Sequence, residues 1–352
     1  MPKETMTPRE RWLAVLNREQ PDRVPMDYWA TEEATAKLRE HFDGAGLGEI
    51  LAKLHVDNPL NVGGRYVGPK LPEDTDEFGL RRQDVDYGTG RYPEVVNHPL
   101  AEFNSPEEID DNYTWPSPDW YDFSHLPEQV KGNEHRPIRG GGSEPFLTYK
   151  YLRGEEQAFI DLIQNPDIIH YCLDKLFGLA YETTRRIYET IPGKVMISYV
   201  AEDLGGQTNL MYSPDQIRTF FMPRMKRMAE LVHGAGAFVF THTDGAVRKA
   251  IPDIIEMGAD VLNPIQWRCA GMEREGLKRD FGGKLIFHGG MDNQQTLAFG
   301  SVEDVRQEVR DNLRLLGAGG GYILAPCHNI QAVSPPENVV AMYETCYENA
   351  WT

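Results

Sequence analysis

A chain of 352 residues is long enough for one large α/β domain or two ordinary ones, and either buries a substantial core. Its 36 lysines and arginines stand against 54 aspartates and glutamates, a formal charge of -18 that repels phosphate backbones and anionic lipid surfaces, so nucleic acid and membranes are excluded as partners. No apolar run approaches the ~20 residues of a membrane span, the first ten residues lack the apolar core of a secretory signal, and Cys172, Cys269, Cys327 and Cys346 are too scattered for a disulfide framework; a cytoplasmic protein with reduced thiols is expected.

From the N-terminus, Thr7-Pro-Arg-Glu10 caps a first helix to about Leu16, part of an arm over about residues 1–20. Arg23-Val-Pro-Met-Asp-Tyr-Trp29 fits a first strand whose aromatics reach its polar end. Between about Gly63 and Arg139 lies a Pro-, Asp- and Trp-rich stretch with weak periodicity, read as an irregular insertion or lid. Gly140-Gly-Gly142 lacks the spacing of a dinucleotide fingerprint and reads as a flexible turn. A helix runs from Asn165-Pro-Asp167 to about Thr190.

The C-terminal half alternates apolar strands with amphipathic helices. Val195–Tyr199 leads to Glu202-Asp203, and Ser213-Pro-Asp-Gln216 then opens a helix. Ala237–Thr241 runs into His242-Thr-Asp-Gly245. Asp260–Leu262 ends at Asn263-Pro264, and Lys284–Phe287 is followed by His288-Gly-Gly-Met-Asp292 and a helix capped at Ser301. Gly321–Leu324 leads to Ala325-Pro-Cys-His-Asn329 and a last helix capped by Ser334-Pro-Pro-Glu337. Such units imply parallel strands with right-handed crossovers. Polar clusters after all five strands favour a (β/α)8 TIM barrel, in which every βα loop meets at one mouth, over an open sheet with one switch point. No linker or repeat divides the chain, so one domain is expected.

Of ten histidines, His242, His288 and His328 immediately follow strands, and His242 and His328 are the stronger candidates. His242 and Asp244, two apart in a loop, can bind a divalent metal or act as an oriented acid/base pair; alternatively Asp244 caps the next helix, with Gly245 allowing the turn. His328 from another loop completes a His-Asp-His set with an open metal position. Glu202 and Asp203 are candidates for a metal, a general base or a cationic group. Cys327 either adds a thiolate that inclines the site toward zinc or is a small buried residue beneath His328. Tyr28, Trp29, Tyr149 and Tyr151 either wall the pocket or belong to the core.

Arg9-Glu-Arg-Trp12, Asp22-Arg-Val-Pro25, Tyr151-Leu-Arg-Gly154, Glu202-Asp-Leu-Gly205, His242-Thr-Asp-Gly245, Ile251-Pro-Asp253, Asn263-Pro-Ile-Gln266, Gly289-Gly-Met-Asp292 and Ala325-Pro-Cys-His-Asn329, in this order, resemble the uroporphyrinogen decarboxylase superfamily, especially its methyltransferase-like branch that serves corrinoid proteins. The resemblance runs over nearly the whole chain. It implies a (β/α)8 barrel, commonly a homodimer, with Tyr28, Trp29, Tyr151, Asn263, Gln266, Asp292 and Asn329 as substrate-contacting positions. In the methyltransferase branch a zinc held by a His-x-Cys motif and a later Cys activates a thiol for methyl exchange with a cobalt corrinoid (cobalamin type). Here the first motif is His242-Thr-Asp244 and the later centre is His328 with Cys327 before it, a harder site suited to oxygen substrates such as a methoxy compound.

The resemblance thus implies a zinc-dependent methyltransferase or demethylase exchanging methyl groups between a small molecule and a corrinoid partner, with His242, Asp244, His328 and Cys327 as ligands and Glu202 or Asp203 assisting. The decarboxylases use an N-terminal arginine pair in Arg-Gln-Ala-Gly-Arg, which this chain lacks. The alternative is a metal-independent decarboxylase or lyase, with His328 and Asp203 as acid and base and Arg65 or Arg153 holding a carboxylate. A third reading is a non-catalytic barrel that binds a corrinoid protein.

Overall fold

The computed structural model describes residues 3–86, 88 and 91–351. Seven strands lie parallel and adjacent in chain order: β1 (Leu60–Val62), β2 (Ile138–Ser143), β3 (Ile197–Ala201), β4 (Phe238–His242), β5 (Val261–Asn263), β6 (Ile286–Met291) and β7 (Tyr322–Pro326). The eighth position belongs to Pro25–Asp27. Asp27 N–H donates to Leu324 O at 2.9 Å and Leu324 N–H to Pro25 O at 2.9 Å, while Asp57 N–H donates to Met26 O at 2.8 Å. The expected barrel is therefore closed, but its first strand is a short bridge, because Pro25 has no N–H to extend the ladder.

The barrel interior is filled by Ile197, Phe240, Val261, Ile286 and Ile323, one from each of β3 to β7, and by Trp12, Val15 and Leu16 of the first helix. That helix (Pro8–Leu16) has the expected capping box between Thr7 and Glu10. Its Arg11 is fully buried and bonds Asp22 at 2.6 Å and Asp57 at 2.5 Å, while Arg23 shares Asp57 at 2.8 Å. Every charge in this network has a partner, the condition under which burial of ions is tolerated.

Two turns differ from expectation. Gly140-Gly-Gly142 belongs to β2 rather than to a flexible turn. Gly142 has φ 118, and a Cβ there would lie 1.7 Å from Tyr199 O, so glycine lets the bulged strand press against β3. His288 likewise lies inside β6, since the ladder to β7 continues through Gly289 and Gly290 as far as Met291. The last helix begins at Pro336 with Pro335 as its cap, and the buried Ser334 hydroxyl has no partner, so Ser334 does not cap it.

Residues 63–137, between β1 and β2, contain helices Pro106–Asn112 and Leu126–Val130 and two small antiparallel pairs, so the insertion is more ordered than its composition suggested. The exposed hairpin Arg82–Asp86/Arg91–Val95 touches the barrel at Tyr151. Arg82 lies 5.8 Å over the Tyr151 ring.

Candidate active site

The ends of β2, β3, β4 and β5 deliver Glu144, Asp203, His242 and Asn263 to one region. Ligand atoms of Asp203, His242 and Asp244 all lie within 4.8 Å of one another. His242 Nε2 is 3.8 Å from Asp203 Oδ1 and 3.9 Å from Asp244 Oδ2, too long for direct hydrogen bonds and right for atoms sharing a central partner. Asp244 is held by the turn beneath it. Gly245 has φ 86, a Cβ there would meet Gly205 O at 2.4 Å, and Gln266 Oε1 accepts Gly245 N–H at 2.6 Å. The helix-cap reading of Asp244 fails, since its Oδ1 is buried without any partner and the next helix begins only at Ile251.

A buried chain fixes which nitrogen of His242 faces this centre. Asp27 is an acceptor, so His288 Nε2, 3.1 Å from its Oδ2, carries the proton, and Trp29 Nε1–H donates to the same oxygen at 2.8 Å. His288 Nδ1 must then accept, and Asn263 Nδ2–H supplies the bond at 2.8 Å. The Asn263 amide is thereby oriented, its Oδ1 accepting from His242 Nδ1–H at 2.6 Å. His242 Nε2 is left with a free lone pair aimed at the two aspartates. Burial lowers the His288 pKa, which keeps that ring neutral and the directions consistent.

Negative charge accumulates around this lone pair. Burial raises the Asp244 pKa, with Asp203 adding to the rise and His242 and His328 opposing it. Burial pushes the Glu144 carboxyl up to about 7, and Asp203 and Asp244 add to it. Glu202, buried, is also raised well above the usual carboxylate range by desolvation; its Oε1 accepts from Phe146 N–H at 3.0 Å, at the start of helix Pro145–Arg153. Imidazole, clustered carboxylates and an unpartnered buried oxygen form a donor set that a divalent cation satisfies.

The structure rearranges the expected site. Cys327 is no ligand: its Sγ–H is buried against Ile265 O at 3.2 Å and burial raises its pKa, because it points away from the mouth as its neighbour His328 points in. His328 stands at the rim, its ring 6.4 Å from that of His242, and Asp203 takes the third place in the tight group. The Asp292 carboxylate is committed to Arg268 at 2.5 Å and to the Gln294 and Thr296 amides, which leaves it a turn-forming role instead of a substrate contact. Tyr149 is buried and bonded to Asp161, so it is core, while half-buried Tyr151 lies beneath Arg82 at the mouth. Arg153 is consumed by Asp161 and the Leu100 and Phe103 carbonyls, and Arg65 is exposed on an outer strand opposite Asp122. Neither is placed to hold a substrate.

Two clefts flank His242. One, of about 610 Å³, is walled by Tyr28, Trp29 and Tyr199, with Arg139, Asn61 and Asn329 as polar groups; Tyr199 stacks on His242 at 5.5 Å. The other, of about 700 Å³, is lined by Asp244, His328 and a set of amides that includes Gln207, Gln266 and Asn293. Glu144, Asp27, Tyr199 and Arg139 escaped the sequence reading. The first and last were hidden by treating the glycine run as a turn, although Glu144 does stand at a strand end.

A closed parallel barrel with acids and an imidazole at the C-terminal ends of its strands is the architecture in which TIM barrels place their active sites. The chain belongs to the uroporphyrinogen decarboxylase (URO-D) family, whose model matches residues 78–349. A uroporphyrinogen decarboxylase from Pseudomonas savastanoi pv. phaseolicola is 27% identical over 220 residues, covering 60% of this chain and 54% of that protein. Another from Psychromonas ingrahamii is 24% identical over 232 residues, covering 62% and 60%. The chain thus spans little more than half the length of these relatives. Among solved structures, a methyltransferase from Methanosarcina mazei shares the fold with a TM-score of 0.69, over 97% of this chain and 99% of its own, at 20% identity. Among the described residues no helix is long and apolar enough to cross a membrane.

Proposed function

We propose that this barrel is a divalent-metal methyltransferase or demethylase of the uroporphyrinogen decarboxylase family, moving a methyl group between a small molecule and a corrinoid carried by a partner protein. The observation that carries it is the group Asp203, His242 and Asp244, with its free imidazole lone pair and its buried, unpartnered Asp244 Oδ1. These three residues would hold zinc, and His328 at the rim would face what binds beside it. When bound, the metal supplies Lewis acidity toward the heteroatom that carries or receives the methyl group.

The protein residues do the rest. Asn263 and His288 keep the proton of His242 on Nδ1, so Nε2 is always available as a donor. Glu144, with its carboxyl near 7, can give a proton to a departing heteroatom or take one from an entering one at neutral pH. Tyr199 and Trp29 border the His242 ring and wall the cleft on that side. The two clefts offer a reaction with two partners separate approaches to one centre.

The test is metal analysis of protein purified without chelator, followed by methyl exchange between a methoxy compound and a corrinoid. About one zinc per chain and loss of both metal and exchange in His242→Ala are expected. A metal-free protein with full activity, or full activity in His242→Ala, refutes the reading.

A further inference from the structure

The cleft walled by Tyr28, Trp29 and Tyr199 contains one guanidinium, Arg139. Its Nε–H donates to Asn61 Oδ1 at 2.7 Å, across the β1–β2 register that sets Asn61 opposite Arg139. Its Cζ lies 5.3 Å over the Trp29 ring. The side chain is therefore held by two neighbours while both terminal nitrogens remain without a hydrogen bond or carboxylate among the described residues. Arg139 is half-buried, and unlike Arg11, Arg23 and Arg153, which are paired with acids, it has its terminal nitrogens open to the cleft. A guanidinium fixed through Nε presents its two remaining donor edges as a fork that matches a carboxylate.

Position supplies the rest of the ligand. The Trp29 ring neighbours both the anchor and the centre, 5.3 Å from Arg139 Cζ and 6.1 Å from the His242 ring. A ligand held at Arg139 and extending toward His242 meets this aromatic ring, and Tyr28 and Tyr199 add flat walls beside it. Among the described residues Arg139 is the one charged side chain that lines the cleft, so the cleft matches a ligand with a single carboxylate. We propose that Arg139 is the carboxylate anchor of this cleft and that the small substrate is a planar, aromatic monocarboxylate, its carboxylate on Arg139 and its reactive heteroatom toward His242. The assignment of the reactive end rests on the function proposed above; the anion anchor does not.

The probes are benzoate, its neutral isostere benzamide, and 4-methoxybenzoate, titrated calorimetrically into metal-loaded protein. Wild type should prefer benzoate over benzamide. Arg139→Gln should weaken benzoate about tenfold to hundredfold, leave benzamide unchanged, and erase the preference. Arg139→Lys, which keeps the charge but not the fork, should fall between them, and equal melting temperatures and zinc content in the three proteins separate binding from folding. Wild type without preference, or Arg139→Gln binding benzoate as wild type does, overturns the anchor. If benzoate binds through Arg139 but 4-methoxybenzoate gives no methyl transfer, the anchor stands and the proposed reaction fails. If neutral methoxybenzene is demethylated as well as the acid and independently of Arg139, the reaction stands and the anchor fails.

Discussion

Asn263 joins two buried imidazoles, and replacing it with leucine tests the whole chain of hydrogen bonds. The substitution is close in volume but leaves His242 Nδ1–H and His288 Nδ1 without the partners now at 2.6 and 2.8 Å. Each abandoned buried group costs about 1–3 kcal/mol, offset in part by removing the amide itself, so a loss of about 2–4 kcal/mol is expected. Metal affinity should fall about tenfold to hundredfold as the tautomer is released. Asn263→Asp sharpens the test. A carboxylate still accepts from His242 but confronts the His288 lone pair, so His288 must protonate between two acids and its pKa must rise. In the wild type that pKa is lowered, so the folded state holds this ring neutral and loses stability as pH falls through the unfolded value near 6.5. In Asn263→Asp the slope reverses: the contribution is present at low pH and is lost as pH rises through the new folded value. Thermal melts from pH 5 to 8 and chelator competition measure both effects. Equal slopes in the two proteins, or leucine at 263 with unchanged zinc affinity, would refute the reasoning.

Asp203→Asn and Asp244→Asn should each lower zinc content measured after dialysis, while Cys327→Ser should keep it and lose only about 1 kcal/mol of stability by denaturant titration. Glu144→Gln should stabilise the metal-free protein at high pH: a carboxyl raised from 4.5 to about 7 opposes folding as pH climbs through that window, so melting temperatures should match the wild type near pH 4 and exceed it by pH 8, by about 1–3 kcal/mol in free energy. Gly142→Ala should yield no soluble barrel, because its Cβ would meet Tyr199 O at 1.7 Å.

Features written in local sequence were readable. The capping boxes at Thr7, Ser213 and Ser301 form as spelled, since each is a contact three residues apart. Strand-end placement brought His242 and Asp244 to the mouth. The relay behind them was not readable: Asp27 and His288 are 261 residues apart, and only barrel closure unites them. Gly140–Gly142 misled for a different reason. Glycine serves both free turns and crowded strands, and nothing in the run itself states that Tyr199 and Thr184 press against it. Cys327 and His328 are adjacent in sequence, and the alternation of an extended backbone assigns them to opposite faces, a choice that only the packed neighbours decide.

The first helix makes the floor of the active site. Trp12 rises through the bottom of the barrel until its ring is 6.0 Å from that of His288, directly beneath the relay. The helix that carries it is held by Arg9 N–H to His135 O at 2.8 Å, and the segment after it by Val24 N–H to Ala350 O at 3.0 Å. The first helix thus joins distant parts of the barrel: Arg11 ties it to Asp57 just before β1, and Trp12 meets His288 in β6. Local opening of residues 8–16 would let water reach the imidazole chain from below, so the order of the site depends on a helix that contributes no residue to its mouth.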